Sequence, residues 1–105
     1  MSVLKITPPD MNDGFSSVVL SRENYLLRFT YNDTFGFWSF GLYNPFQEPI
    51  VASLKILPNI PINIFAVTGD TPPGFFVVRT RLERIGRDDF LNGKAEFLYI
   101  FGGVT

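Results

Sequence analysis

The segment from Tyr25 to Tyr43 constrains the fold more than any other part of the chain. Large apolar residues occupy every second position of its first half, and the pattern resumes after a short polar stretch. A period of two is typical of a β-strand with two distinct faces. The polar stretch, Asn32-Asp33-Thr34, has the composition of a turn, and a second run follows it from Phe35 to Tyr43. The segment therefore predicts a β-hairpin.

Short β-rich runs separated by Gly, Pro, Asn and Asp continue along the rest of the chain, with no repeat or linker. We therefore expect one domain over residues 1–105. Pro58–Phe65 alternates Ile with other residues and holds two prolines, which fits either an extended edge segment or a short helical turn. Six or seven strands at this spacing predict an all-β fold, either a small antiparallel β-sandwich or a partly open β-barrel. Beyond the hairpin, the predicted strands are Met1–Ile6, Phe15–Leu20, Ile50–Leu57, Phe75–Thr80 and Lys94–Phe101.

The chain contains neither cysteine nor histidine. Disulfides, thiolate nucleophiles, Ser–His pairs and Cys or His metal sites are therefore excluded. The adjacent carboxylates Asp88-Asp89 would point to opposite sides of a strand, so we expect one of them to cap a turn. Gly69-Asp70-Thr71 lacks the companion residues of a calcium or phosphate loop. The sequence therefore predicts no enzyme, no cofactor and no metal.

The overall charge argues against two classes of partner. The formal net charge is −1 and the pI is about 5.2, which disfavours general attraction to nucleic acid or to an anionic membrane. No apolar run reaches the roughly 18 residues that a membrane helix needs. The N-terminus is proline-rich and acidic, unlike a signal peptide.

One stretch runs against this overall charge. Residues 79–87 carry four arginines and one glutamate: Arg79, Arg81, Arg84 and Arg87, with Glu83. Arginine suits bidentate binding of carboxylates and phosphates. Together with nearby aromatic residues, such a stretch could bind single-stranded nucleic acid in a small-barrel module. Alternatively, the arginines solvate a loop or pair with Asp88, Asp89 or a neighbouring subunit.

The aromatic content is high, with 12 Phe in 105 residues. Both faces of the strand from Phe35 to Tyr43 are apolar, which exceeds what a small core is expected to hide. We therefore expect a surface that other proteins cover, formed by Trp38, Phe40 and Leu42 with the four arginines. A carbohydrate-binding face is a weaker alternative, because Trp38 is the only Trp.

An ordered set of pieces from Tyr25 to Phe101 resembles a known family. A strand that ends in a polar turn is followed by a second, aromatic strand of the hairpin, and then by a strand that begins with proline. A Pro-Gly then precedes an apolar strand, and an Asp-Asp-Phe stretch precedes a final strand that holds a Tyr. These pieces are Tyr25–Asn32, Phe37–Tyr43, Pro49–Val51, Lys55–Ile62, Pro73–Val78, Asp88–Phe90 and Phe97–Ile100.

In this order, the pieces resemble the small phage tail proteins of the cyanophage baseplate plug type. The resemblance implies a structural component of a contractile-tailed phage, without enzymatic activity. It would lie in the baseplate near the tube end and the central hub or spike, where it would cap or join the tail tube. The implied partners are other baseplate, hub and tube proteins, with three or six copies of the chain around the tail axis. Such a virion protein would be made in the cytoplasm of the bacterial host.

Overall fold

Seven β-strands make up the computed structural model, which describes residues 2–20, 22–63 and 74–101. No helix occurs in these ranges, so none of their segments meets the requirement for a membrane-crossing helix. The predictions for Met1, Ile64, Phe65 and the loop 68–73 fall outside the described residues. The strands are β1 (Ser2–Ile6), β2 (Asp13–Leu20), β3 (Glu23–Asn32), β4 (Phe37–Tyr43), β5 (Pro49–Lys55), β6 (Phe75–Thr80) and β7 (Ala95–Phe101).

The strands form two antiparallel sheets. One sheet has the order β1-β7-β6, and the other has the order β2-β3-β4-β5. Their facing sides enclose one apolar cluster, to which both sheets contribute. The all-β prediction is confirmed, and its sandwich form is the correct one, because the two sheets do not close into a barrel.

The predicted hairpin is confirmed as β3 and β4. Asn32 organises its turn, since its side-chain oxygen accepts hydrogen bonds from the backbone N–H groups of Thr34 and Phe35, both at 3.0 Å. Gly36 follows with a φ of 70°, a conformation that glycine adopts without steric cost. The second strand therefore begins at Phe37, two residues later than the alternation predicts.

The core is built from aromatic rings that cross between the sheets. The ring of Phe97 on β7 lies 5.0 Å from that of Phe29 on β3 and 5.1 Å from that of Phe40 on β4. Phe76 on β6 lies 5.3 Å from Phe40. Edge-to-face and tilted pairs of this kind stabilise beyond their buried area. Much of the aromatic surplus thus fills the interior of the chain.

The chain crosses from one sheet to the other after β5. Pro58 forms a parallel bridge with Val78, and Ile62 forms an antiparallel bridge with Phe76. Both partners lie on β6, so this segment covers the outer edge of the three-stranded sheet. Of the two alternatives for the proline-containing stretch, the extended edge segment is therefore correct as far as residue 63.

The other side of the sandwich is open. There β1 and β2 are the outer strands of their sheets, and neither has a second partner strand among the described residues. A cleft of about 470 Å³ separates them, with residues 4–7 on one wall and residues 16–19 on the other. One hydrogen bond joins the walls, from the hydroxyl of Ser16 to the carbonyl oxygen of Thr7 at 3.3 Å.

Candidate interaction surface

The three apolar residues predicted to meet neighbouring proteins lie in the core. Trp38, Phe40 and Leu42 are 2%, 1% and 0% exposed. They lie on the face of β4 that packs against the other sheet, where Phe40 meets Phe76 and Phe97. Their burial in the isolated chain gives the expected interface no support, since these side chains could reach a partner only if the sandwich opened.

The opposite face of the same sheet is partly covered by the chain itself. The rings of Phe15 and Tyr43 meet edge to face at 5.3 Å. The guanidinium of Arg28 lies 6.0 Å from the centre of the Phe15 ring and donates to the Tyr43 hydroxyl at 3.4 Å. Lys55 lies 4.6 Å above the ring of Phe37. A cation thus lies over the rings of Phe15 and Phe37, which leaves less apolar surface than the sequence predicts.

Arg28 also forms a two-pronged ion pair across β2 and β3. Its Nε and Nη2 donate to the two carboxylate oxygens of Asp13 at 2.8 and 2.6 Å. This hydrogen-bonded contact lowers the pKa of the Asp13 carboxyl below its usual value. The same contact raises the pKa of the Arg28 guanidinium. The pair therefore fixes the register of β2 on β3 through side chains as well as backbone.

Two of the four arginines that the sequence predicts on the contact surface stabilise the fold. Arg84 donates to the backbone carbonyl oxygens of Phe35 and Gly36, the latter at 3.2 Å, and thereby holds the β3–β4 turn. Arg87 donates to the side-chain oxygen of Asn12, and its guanidinium carbon lies 5.8 Å from the centre of the Trp38 ring. Both arginines therefore connect the β6–β7 loop to other parts of the chain.

The other two arginines lie near the end of β6. Arg79 binds Glu96 with an N–O distance of 2.6 Å, and Lys5 lies 3.5 Å from the other oxygen of the same carboxylate. The hydrogen bond from Arg79 lowers the pKa of Glu96. Arg81 is exposed and makes no hydrogen bond or ion pair with any described residue. The structure thus separates four arginines that the sequence groups together.

The carboxylates form no metal-binding group in the part of the chain that the structure describes. No cluster of three acidic residues there could hold a metal ion. The side chain of Asp89 accepts a hydrogen bond from the backbone N–H of Gly86 at 2.5 Å, so the expected turn cap is confirmed. The candidate loop Gly69-Asp70-Thr71 lies outside the described residues.

One exposed aromatic side chain is held on a well-ordered turn. Phe46 is 82% exposed between β4 and β5. The side-chain oxygen of Asn44 accepts hydrogen bonds from the N–H groups of Phe46 and Glu48, both at 2.9 Å. The backbone of the turn is thus fixed while the ring faces solvent. The sequence signal for this residue is a phenylalanine inside a proline-flanked turn, where polar residues are the norm.

Comparison with protein families gives a match over nearly the whole chain. A family model described as cyanophage baseplate Pam3 plug gp18 matches residues 1–102 of the chain. The match covers all seven strands and extends through β1 and β2, which precede the pieces that carry the resemblance in the sequence. A search of curated proteins finds no match.

Proposed function

The chain belongs to the cyanophage baseplate plug family, and we propose that it lies near the tube end and central hub or spike of a contractile tail, where it caps or joins the tail tube. The family assigns it a structural role in the baseplate of a phage virion. The observation that carries the proposal is the match over residues 1–102, because it spans the whole sandwich instead of a single motif.

The absence of enzymatic activity is part of the proposal. A plug serves by filling space and by contacting neighbours, and neither task needs a reactive group. The chain has no cysteine and no histidine. Its described carboxylates that interact with other groups bind arginine, lysine, tyrosine, threonine, asparagine or backbone groups. These contacts support a structural use of its polar side chains.

A baseplate protein of this family contacts other baseplate proteins, and we place one such contact at Phe46. An aromatic ring on a rigid turn loses little conformational freedom when it enters a pocket, so it is well suited to anchor an interface. The exposure of Phe46, at 82%, and the hydrogen bonds of Asn44 beneath it meet this requirement. Tail symmetry favours three or six such contacts around the axis.

The alternative of single-stranded nucleic-acid binding has less support. A binding groove of that kind needs cations and exposed aromatic rings side by side. Arg84 and Arg87 instead donate hydrogen bonds to Gly36 and Asn12 of the same chain, and Trp38 is buried. Burial of this single Trp also counts against a carbohydrate-binding face.

Gold-labelled antibodies on tailed particles test the location. Antibody raised against the full chain is applied to intact tails and to tails with disrupted tips, since a hub component can be covered. We expect gold at the distal tip, more strongly after disruption, and none when the antibody is first saturated with the purified protein. Gold along the sheath, or none on either preparation, would overturn the proposed location.

A further inference from the structure

A cleft of about 450 Å³ opens at the end of the three-stranded sheet, where β6 ends and β7 begins. Arg81 and Lys94 line it from the two ends of the connecting loop. Arg81 directly follows Thr80, Lys94 directly precedes Ala95, and Thr80 and Ala95 are the last pair of the two strands. Leu82 and Gly93 also line it. The cleft therefore lies on residues that the sheet itself positions.

The backbone below the cleft is firmly held. The Thr80 hydroxyl donates to the carbonyl oxygen of Lys94 at 2.7 Å and accepts from the N–H of Leu82 at 3.1 Å. The side chain of Asn59 binds both backbone groups of Thr80, at 2.8 and 3.1 Å. Both ends of the loop are thus tied together, so a ligand would meet a preformed arrangement of cations.

The described residues do not balance the positive charge of the cleft. Arg79, Arg81 and Lys94 line it, and Glu96 is the one acidic residue among its described lining residues. Glu96 is already bound by Arg79 and by Lys5. Arg81 and Lys94 contact no carboxylate among the described residues. Two exposed cations therefore remain available on one rigid edge, and this surplus fits a ligand that carries negative charge.

The lining favours carboxylates over a nucleic-acid strand. Arginine binds a carboxylate through two parallel hydrogen bonds, and lysine adds a point charge beside it. Nucleic-acid strands also need aromatic rings for base stacking, and none of the described residues that line this cleft is aromatic. Leu82 instead offers a short apolar contact of the kind that a peptide side chain uses.

We propose that this cleft binds an acidic peptide segment, with two neighbouring Asp or Glu side chains, presented by another baseplate protein. Arg81 binds one carboxylate and Lys94 binds the other. This inference rests on the proposed function for the source of the segment, whereas the binding chemistry can be tested without it.

The test uses the full chain labelled with ¹⁵N, and a hexaglutamate peptide as the probe. Binding is followed by NMR at low salt, with hexaglutamine and a six-nucleotide single-stranded DNA as comparison ligands. We expect saturable shifts around Leu82, Gly93 and Lys94 with hexaglutamate and none with hexaglutamine. Arg81→Glu should weaken binding about tenfold or more, whereas Lys55→Glu, the same charge change on β5, should weaken it less than about threefold.

Arg81 makes no hydrogen bond or ion pair with a described residue, so its variants should keep the wild-type melting temperature. Lys94→Gln supplies an independent second variant and should weaken binding about threefold. No shifts with hexaglutamate, equal losses in both charge-reversal variants, or tighter binding of the DNA at the same residues would each overturn the proposal.

Tail particles separate this inference from the proposed function. If gold marks the wild-type protein at the baseplate and Arg81→Glu is incorporated equally well, the cleft contact is wrong and the baseplate position stands. If hexaglutamate binds as described but no gold reaches the tails, the cleft is an acidic-peptide site and the baseplate position is wrong.

Discussion

The indole nitrogen of Trp38 donates a hydrogen bond to the backbone carbonyl oxygen of Gly86 at 3.1 Å. This contact joins β4, in the four-stranded sheet, to the long loop between β6 and β7. The same indole lies 5.6 Å from the ring of Phe90 in that loop and 5.2 Å from Tyr31 on β3. Trp38 thus holds the loop against the sandwich through contacts within the chain.

Replacing Trp38 with Phe should therefore destabilise the isolated chain. The variant loses the hydrogen bond to Gly86 and leaves a small cavity, which together should lower the free energy of unfolding by about 1–3 kcal/mol. Urea denaturation followed by circular dichroism measures this change. Phe46→Leu also replaces an aromatic side chain with a smaller one, but at an exposed position. Its free energy of unfolding should stay within about 0.5 kcal/mol of wild type. Equal effects of the two variants would contradict the structural role of the indole.

The fold is largely predictable because period-two alternation and turn residues are local signals. Tyr25 to Tyr43 carries both, and the structure pairs its two halves from Leu26–Tyr43 to Asn32–Phe37. The contact surface is less predictable, because alternation separates two faces of a strand without indicating which one its own chain covers. In β4 both faces are apolar, and the choice between them depends on how the second sheet packs.

The four arginines illustrate the same limit at the level of side chains. Arg81 and Arg84 are three residues apart in similar loop sequence, yet one is free of described partners and the other binds two carbonyl oxygens. The difference arises because the β3–β4 turn lies beside the loop, which is a long-range contact that composition does not encode.

Arg84 and Arg81 should accordingly differ in their effect on stability. Arg84→Gln removes the donors to Phe35 and Gly36 at a partly solvated turn, so we expect a loss of about 1 kcal/mol in the free energy of unfolding. Arg81→Gln should change it by less than about 0.5 kcal/mol. Thermal and urea unfolding of the two variants make the comparison. Greater destabilisation by Arg81→Gln would contradict these contacts.

Phe46→Ala should separate assembly from folding. The ring is 82% exposed, so its removal should leave the melting temperature of the isolated protein within about 2 °C of wild type. Incorporation into tails should fall strongly, because the proposed interface loses its central anchor. Quantifying the protein in purified tails after complementation measures this. Normal incorporation of Phe46→Ala would show that the anchor lies elsewhere.

The Asp13–Arg28 pair should make stability depend on acid pH. The pKa of Asp13 is lowered in the folded chain from its usual 3.8, chiefly by the hydrogen bond from Arg28. The unfolded chain therefore takes up the proton first, so the stabilisation is present above pH 3.8 and is lost as the pH falls through the native pKa. The pair is substantially exposed, with side chains 41% and 47% accessible, so the effect should be below about 1 kcal/mol.

Asp13→Asn isolates this contribution from that of Glu96, whose lowered pKa acts in the same direction. The variant should be less stable than wild type at pH 6, and the difference should shrink as the pH falls well below 3.8. Urea unfolding at several pH values records both curves. Two parallel curves over this range would contradict the coupling between Asp13 and Arg28.

Gly41 on β4 should tolerate no side chain, because β5 passes directly over it. A Cβ added there would lie 2.3 Å from the carbonyl oxygen of Ala52, well inside contact distance with backbone atoms. The β4–β5 pairing is irregular at this point, with register shifts on either side of Leu42. Gly41→Ala must push β5 away, so we expect a loss of more than about 2 kcal/mol in the free energy of unfolding.

Gly93→Ala is the matched control, since its Cβ would meet no atom within 4 Å and its cost would come from the φ of 76° alone. That conformation costs an alanine roughly 1 kcal/mol, so the Gly93 variant should unfold at clearly higher urea concentration than the Gly41 variant. The reverse order would mean that β5 can move without loss, and the close approach of β4 and β5 would then not be a fixed part of the fold.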